Sequence, residues 1–377
     1  MAREGPRVLA VIGTRPEAIK MAPVVLELRA RAEGSVRTVL TAQHREMSDE
    51  VLALFGIEPD HDLDIMRPGQ SLFETSARLL PGLESVYRKE SPDLVLVQGD
   101  TTTTFIGALS AYYLGIAVGH VEAGLRTDDK RNPFPEEINR RLTSSLADLH
   151  FAPTERARGA LLAEGIPERR IRVTGNTVID ALFRILEKKG PESERLPEGP
   201  DPSRRWIVVT SHRRENWGAP LESIAWALRD LVERYDDVEV IYPVHPNPNV
   251  RKTTDALLRG RARIHLLEPL DYVRFVRLMN ACRLLITDSG GVQEEAPSLG
   301  KPVLVIREKT ERPEAVEAGT VLLVGTDRER IVREASRLLD SDEEYDAMAR
   351  RHNPYGDGKA SGRIADAIAR WWRDGTA

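Results

Sequence analysis

A single cysteine, Cys282, rules out an internal disulfide; no Cys-His signature surrounds it, so it is expected in the core and not as a nucleophile. The formal net charge of −5 leaves no basic excess with which to follow a nucleic-acid backbone, so nucleic acid is not an expected partner. Eight histidines are scattered without H-E-x-x-H or Cys/His ligand spacing, and no metal site is expected. No run approaches the ~18 apolar residues of a membrane helix. The opening Met-Ala-Arg-Glu-Gly-Pro-Arg passes into a strand without a signal-like apolar region, so the expected location is the cytoplasm. Neither G-x-G-x-x-G nor G-x-x-x-x-G-K-[ST] occurs at the glycine turns described below, which disfavours a tightly held nicotinamide cofactor and an ATPase; no cofactor is expected.

What is present is an ordinary globular composition, 41% hydrophobic and 30% charged, in a chain of 377 residues that exceeds the usual size of one core. Apolar runs near 7–12, 36–41, 93–98, 116–121, 149–151 and 171–174 alternate with amphipathic segments, the pattern of a doubly wound parallel sheet. Residues 189–205 hold four prolines and no periodicity, and a second alternating set follows near 206–210, 238–242, 262–266, 283–287, 302–305 and 321–324. The expected architecture is α/β, with two Rossmann-like domains over 1–188 and 206–355 and an interdomain cleft. Residues 356–377 form a C-terminal helix returning to the first domain, where its Trp371-Trp372 pair would dock on a core.

Two strand-to-helix turns carry an anion-binding pattern. After Leu284–Thr287, the sequence Asp288-Ser289-Gly290-Gly291 opens a helix; its small residues allow close backbone approach, and its first amides point at the ligand. Glu295, a turn further on, is placed to accept from sugar hydroxyls, so the pair reads as diphosphate plus ribose. After Val8–Ile12, Gly13-Thr14-Arg15-Pro16 puts proline at the expected first helical position and projects Arg15 from the helix mouth. His212 follows a third run, Ile207–Ser211.

Three acids, Asp100, Glu122 and Glu136, lie in the first domain, more than nucleotide binding needs. Each also has a plainer use. Asp100 precedes Thr101–Thr104 and could cap a helix, Glu122 could pair with Arg126, and Glu136 could stabilise the first turn of the helix it begins.

Taken in order, Gly13-Thr14-Arg15-Pro16-Glu17-Ala18-Ile19-Lys20, Thr41-Ala42-Gln43-His44-Arg45-Glu46-Met47, Gly99-Asp100-Thr101-Thr102-Thr103, Gly119–Thr127, His212-Arg213-Arg214-Glu215-Asn216, Asp288–Gly291 and Thr310-Glu311-Arg312-Pro313-Glu314-Ala315 resemble the non-hydrolysing bacterial UDP-N-acetylglucosamine 2-epimerases over nearly the whole chain. The resemblance implies a glycosyltransferase-B type fold, a homodimer, and interconversion of UDP-N-acetylglucosamine and UDP-N-acetylmannosamine with UDP as a bound species. It further implies substrate contacts at Arg15, Lys20, Ser289, Gly290, Gly291, Glu295 and Arg312, uracil near Leu270 and Phe275, and a catalytic group of Asp100, Glu122, Glu136 and His212. Some members bind a second UDP-N-acetylglucosamine beside the positions of Gln43, His44 and Gln70; Gly69 here stands where an arginine is expected in those members.

The C2 hydrogen of such a sugar is not acidic, because C2 bears an amide nitrogen and is not beside a carbonyl. Without a redox cofactor, the remaining route expels UDP from C1 while removing the C2 proton, then adds UDP back after protonation on the opposite face. Two proton transfers on two faces account for the surplus of acids. Asp100 with Glu122 or Glu136 is the expected proton-transfer pair. A hydrolysing epimerase and a retaining glycosyltransferase of the same fold stay open at this point; the latter would need an acceptor site and usually one acid only.

Overall fold

The computed structural model describes residues 5–31, 34–41, 45–65, 67, 69–188 and 196–375. Among them the strands form two sheets in which every neighbouring pair is parallel. The first holds β1 Arg7–Ile12, β2 Ser35–Leu40, β3 His61–Asp62, β4 Leu94–Gln98, β5 Ala117–Val121, β6 Leu149–Ala152 and β7 Ile171–Val173, in the order β3-β2-β1-β4-β5-β6-β7. The second holds β8 Arg205–Thr210, β9 Val238–Pro243, β10 Ile264–Leu267, β11 Leu284–Thr287, β12 Val303–Val305 and β13 Val321–Leu323, in the order β10-β9-β8-β11-β12-β13. Both sheets are doubly wound, as the alternating runs predict. The two-residue β3 was not anticipated, being too short to leave a run.

Continuous apolar strands follow from burial on both faces. Leu9, Val11, Val95 and Val97 meet Leu79, Leu83 and Tyr87 of the helix Leu72–Glu90 and Ile106 and Ala111 of the helix Thr102–Tyr113. In the second sheet Ile207, Val209, Val240, Ile286 and Leu304 pack with Ile224, Leu228 and Leu231 of the helix Ala219–Arg234. Cys282 is buried at the end of the helix Tyr272–Ala281, its thiol pushed up to about 12 by burial, which suits packing and not nucleophilic chemistry. No described helix is long and apolar enough to cross a membrane.

In each sheet the winding reverses beside the first strand, between β1 and β4 and between β8 and β11. The loops leaving the carboxyl ends there diverge to opposite faces and leave room for a ligand. These are the loops that carry Arg15, Asp100, His212 and Asp288.

The chain divides into one unit of residues 1–181 with 355–377 and another of 182–354. The helix Ala360–Arg373 closes the first unit. Asp180 accepts from the backbone N–H of Ala360 at 3.1 Å and of Ser361 at 2.8 Å, and from the Ser361 hydroxyl. A carboxylate from another helix thus supplies what Lys359 at the cap does not. Arg31 reinforces the contact by pairing with Asp366 at 2.6 Å. Replacing Asp180 by Ala leaves three donors without an acceptor, and denaturation should show a loss of about 1–3 kcal/mol, mostly recovered by Asn. Unchanged stability of Asp180→Ala would mean the helix is held by its packing and the Arg31 contacts without this cap.

Candidate active site

In the first unit, β1 ends in Gly13-Thr14 and the helix Arg15–Ala30 begins. The Arg15 side chain, half-buried, makes no hydrogen bond or ion pair with any described residue. Behind it Glu17, 2% exposed, folds back into the turn. One carboxylate oxygen accepts from the N–H of Gly13 at 2.5 Å and of Thr14 at 3.2 Å, the other from the Thr101 hydroxyl at 2.5 Å. Gly13 is obligatory here, because a Cβ would lie 2.4 Å from the Thr103 hydroxyl oxygen.

Asp100 follows Gly99, whose φ of +76° favours glycine. Asp100 does not cap the next helix; Thr101 does, accepting from Thr104 N–H at 3.2 Å. The Asp100 carboxylate instead pairs with Arg140 at 2.5 Å, and its carbonyl accepts from Asn139 at 3.0 Å. Both partners belong to the helix Glu136–Leu146, and Arg140 is itself braced by the fully buried Glu137 at 3.3 Å. Glu136, first in that helix and half-buried, has no side-chain partner among the described residues.

Glu122 sits after β5 with φ +64°, a left-handed conformation seldom taken by a residue of this kind outside a constrained site. The pairing with Arg126 considered above does not form: Arg126 binds Glu164 at 2.6 Å. Lys20 lies 2.6 and 2.7 Å from the two Glu122 oxygens, Asn176 donates at 3.3 Å, and Gln98 donates as well. Lys20 and Glu122 are therefore committed to each other. The three acids have three different environments: one doubly engaged by Lys20, one ion-paired through a single oxygen, one unpartnered.

In the second unit, Thr210 and Thr287 end the paired strands β8 and β11, their hydroxyls 2.6 Å apart. Asp288, fully buried, accepts from Ser211 Oγ at 3.1 Å, His212 N at 3.0 Å, Arg213 N at 3.0 Å and Asn216 Nδ2 at 2.9 Å, and lies 3.0 Å from His212 Nδ1. Burial opposes its ionisation, but His212 and these donors outweigh it and hold the carboxyl below its ordinary value. An ionised Asp288 fixes the proton on His212 Nδ1, so the Nε2 edge of this exposed ring is left for a ligand. His245 stacks on it with ring centroids 6.1 Å apart.

Ser289 caps the helix Gly290–Glu295. Protein atoms leave space at Gly291: an added Cβ would find Glu295 Oε1 at 3.5 Å and Ser289 Oγ at 3.9 Å, ordinary contacts. Glu295 is held by the Tyr272 hydroxyl at 2.8 Å, and Arg312 is bound to Glu294. Leu270 and Phe275, half-buried, lie on the loop after β10 and in the helix Tyr272–Ala281. In the first unit Gln70 donates to Thr75 at 2.7 Å, while Gln43 and His44 lie outside the described residues. No group of three or more His, Cys, Asp or Glu placed to hold a metal occurs among the described residues.

The sequence reading singles out Arg15, Asp100, Glu122, His212, Ser289 and Glu295 as candidates. It missed the residues that fix them: Glu17, Arg140, Asn176, Asp288 in its contact with His212, and Tyr272. The only sequence signal for Glu17 was a glutamate three residues after Thr14, which reads as a helix-capping pattern.

A family model described as UDP-N-acetylglucosamine 2-epimerase matches residues 26–369. The UDP-N-acetylglucosamine 2-epimerase of Escherichia coli K12 is 53% identical over 368 residues, spanning 96% of this chain and 98% of that one. A crystal structure of UDP-GlcNAc 2-epimerase from Neisseria meningitidis bound to UDP-GlcNAc superposes with TM-score 0.88 at 49% identity, covering 97% of this chain and all of that one. A kitacinnamycin glycotransferase structure, 12% identical over 97% of this chain and 99% of that one, has TM-score 0.64 and shares the fold alone.

Two measurements test this geometry. Because a Cβ at Gly291 would meet only ordinary contacts among the described residues, Gly291→Val should keep its melting temperature within a few degrees yet lower UDP affinity by ~10-fold or more in calorimetry. Undiminished binding would put the diphosphate elsewhere. The second concerns Glu17, whose carboxyl burial pushes up from 4.5 to about 7, with the Asp100 charge adding and hydrogen bonds from Thr101, Gly13 and Thr14 opposing. A raised carboxyl keeps in the folded chain a proton the unfolded chain has released. Its contribution is full below about pH 4.5, is lost as pH rises through about 7, and is flat above. Between about pH 5 and 8, urea denaturation of the wild type should show a loss of up to about 3 kcal/mol that is absent in Glu17→Gln; parallel pH profiles would refute the assignment.

Proposed function

The chain belongs to the UDP-N-acetylglucosamine 2-epimerase family, and from that premise we propose that it inverts C2 of UDP-N-acetylglucosamine, reversibly giving UDP-N-acetylmannosamine, by eliminating and re-adding UDP. The observation that carries this reading is the helix Glu136–Leu146. It grips Asp100 through Asn139 and Arg140 and begins with a carboxylate that has no side-chain partner among the described residues, so one element holds two acids in different states of engagement. A single acid would serve glycosyl transfer; two are what removal and return of a proton require.

In the proposed reaction a carboxylate takes the C2 proton. The C2–H electron pair becomes the C1=C2 double bond of 2-acetamidoglucal, and the C1–O pair leaves with the β-phosphate of UDP. Return of a proton to C2 on the other face and attack of the phosphate oxygen on C1 complete the exchange. Glu136 and Asp100 are the proposed proton-transfer pair, because both oxygens of Glu122 are occupied by Lys20. Glu122 with Lys20 is assigned to holding the charge balance of the sugar site.

The leaving diphosphate calls for a cation and N–H donors, and Arg15, which has no partner among the described residues, with the amides at Ser289–Gly291, is assigned to it, His212 being placed beside those amides through its bond to Asp288. Glu295, oriented by Tyr272, is assigned to the ribose, and Leu270 and Phe275 to uracil. Arg312, anchored by Glu294, is assigned to the sugar-phosphate side. A homodimer is proposed through the helices Thr102–Tyr113 and Glu136–Leu146, which leave Tyr112, Tyr113 and Leu142 at 61%, 68% and 43% exposure.

Proton NMR of the protein with UDP-N-acetylglucosamine alone in deuterated water is the test. Both nucleotide sugars should form and acquire deuterium at C2, and Glu136→Gln should lower kcat by ~100-fold or more with little change in melting temperature. Release of free N-acetylmannosamine and UDP would point to the hydrolysing reaction, and epimerisation without solvent deuterium would exclude the exchange step.

A further inference from the structure

We propose that Glu17 is a positioning residue for the reaction, acting through Thr101 to hold Asp100 in register with Arg15. The proposal rests on the epimerase reading above and adds a group to it.

Glu17 lies third in its helix, where a carboxylate that accepts from the preceding turn is a common cap. Capping accounts for the bonds to Gly13 and Thr14 N–H. It does not account for the other oxygen, which receives the Thr101 hydroxyl from across the split between β1 and β4 at 2.5 Å, nor for 2% exposure of an acidic side chain. The residues it holds are the two immediately before Arg15 and the one immediately after Asp100.

Neither turn has slack. The space at Gly13 is closed by Thr103, whose hydroxyl lies 3.2 Å from that of Thr41. The carbonyl of Gly99 accepts from His120 Nε2 at 2.7 Å. Asp100 is thus fixed on one side by Glu17 through Thr101 and on the other by Arg140 and Asn139. Arg15 carries the leaving group and Asp100 the proton, and an error of about 1 Å between such partners costs on the order of 100-fold in rate.

The experiment compares kcat, KM and melting temperature for wild type, Glu17→Gln, Asp100→Asn and the double variant. Glu17→Gln should lower kcat by ~10-fold or more with KM within a few-fold, and should add less than about twofold to the loss already caused by Asp100→Asn. A kcat unchanged in Glu17→Gln, or a loss multiplied in full in the double variant, overturns the proposal. Should Glu17→Gln fail to fold, Thr101→Val carries the same expectations, and Thr101→Ser, which keeps the hydroxyl, should restore kcat; equal rates in those two variants would also overturn it. A wild type that does not epimerise sinks the functional reading itself, whereas an active wild type matched by Glu17→Gln sinks this inference alone.

Discussion

A buried carboxylate spans the reversal point of each sheet, and the turns that carry Arg15, Asp100 and His212 depend on it. In the first unit Glu17, in the first turn of the helix after β1, takes the Thr101 hydroxyl after β4. In the second Asp288 leaves the loop after β11 and takes the amides of His212 and Arg213 after β8. A doubly wound sheet necessarily parts its loops at this point, because the helices beyond it pack on opposite faces. Unbridged, the gap would leave two turns free to shift independently; bridged, each pair moves as one piece.

The two bridges differ in the charge they sustain. Asp288 has several donors and a histidine against it, enough to outweigh burial, and stays ionised below the ordinary aspartate range. Glu17 has three donors and the neighbouring Asp100 charge, and burial wins, leaving it near neutrality. The difference follows from counting what faces the carboxylate: each added donor stabilises the anion, and each nearby acid opposes it. The second unit therefore presents a settled anion behind a histidine, and the first a carboxyl whose charge state varies within the physiological range.

The strands were legible because parallel strands covered on both faces must be apolar throughout, and such runs stand out against amphipathic helices. β3 was not, since two residues at an edge leave no run. Asp100 and Glu122 stand out in the sequence as polar residues just after strands, and Glu136 as an acid opening a helix. Their partners do not: Lys20 reaches Glu122 across 102 positions and Arg140 reaches Asp100 across 40, and no local pattern encodes such pairs. Glu17 escaped because its local reading, a helix cap, was correct as far as it went. Tyr272 escaped for a similar reason, since an aromatic in the first turn of a helix reads as core until its hydroxyl is seen on Glu295.

The first unit includes residues 355–377, and the second is inserted between its two parts. On the ribosome this sets an order of events. The second unit is contiguous in sequence and can fold as soon as it emerges, while the first, although begun earlier, lacks the helix that Asp180 caps until the residues beyond the second unit have been made. The surface that Ala360–Arg373 covers, including part of the helix Arg15–Ala30, stays open through that interval. The helix Ala360–Arg373 is thus packed against Arg15–Ala30, an element made before the whole of the second unit, and the loops that carry Arg15 and Asp100 rest on a body completed only after that unit.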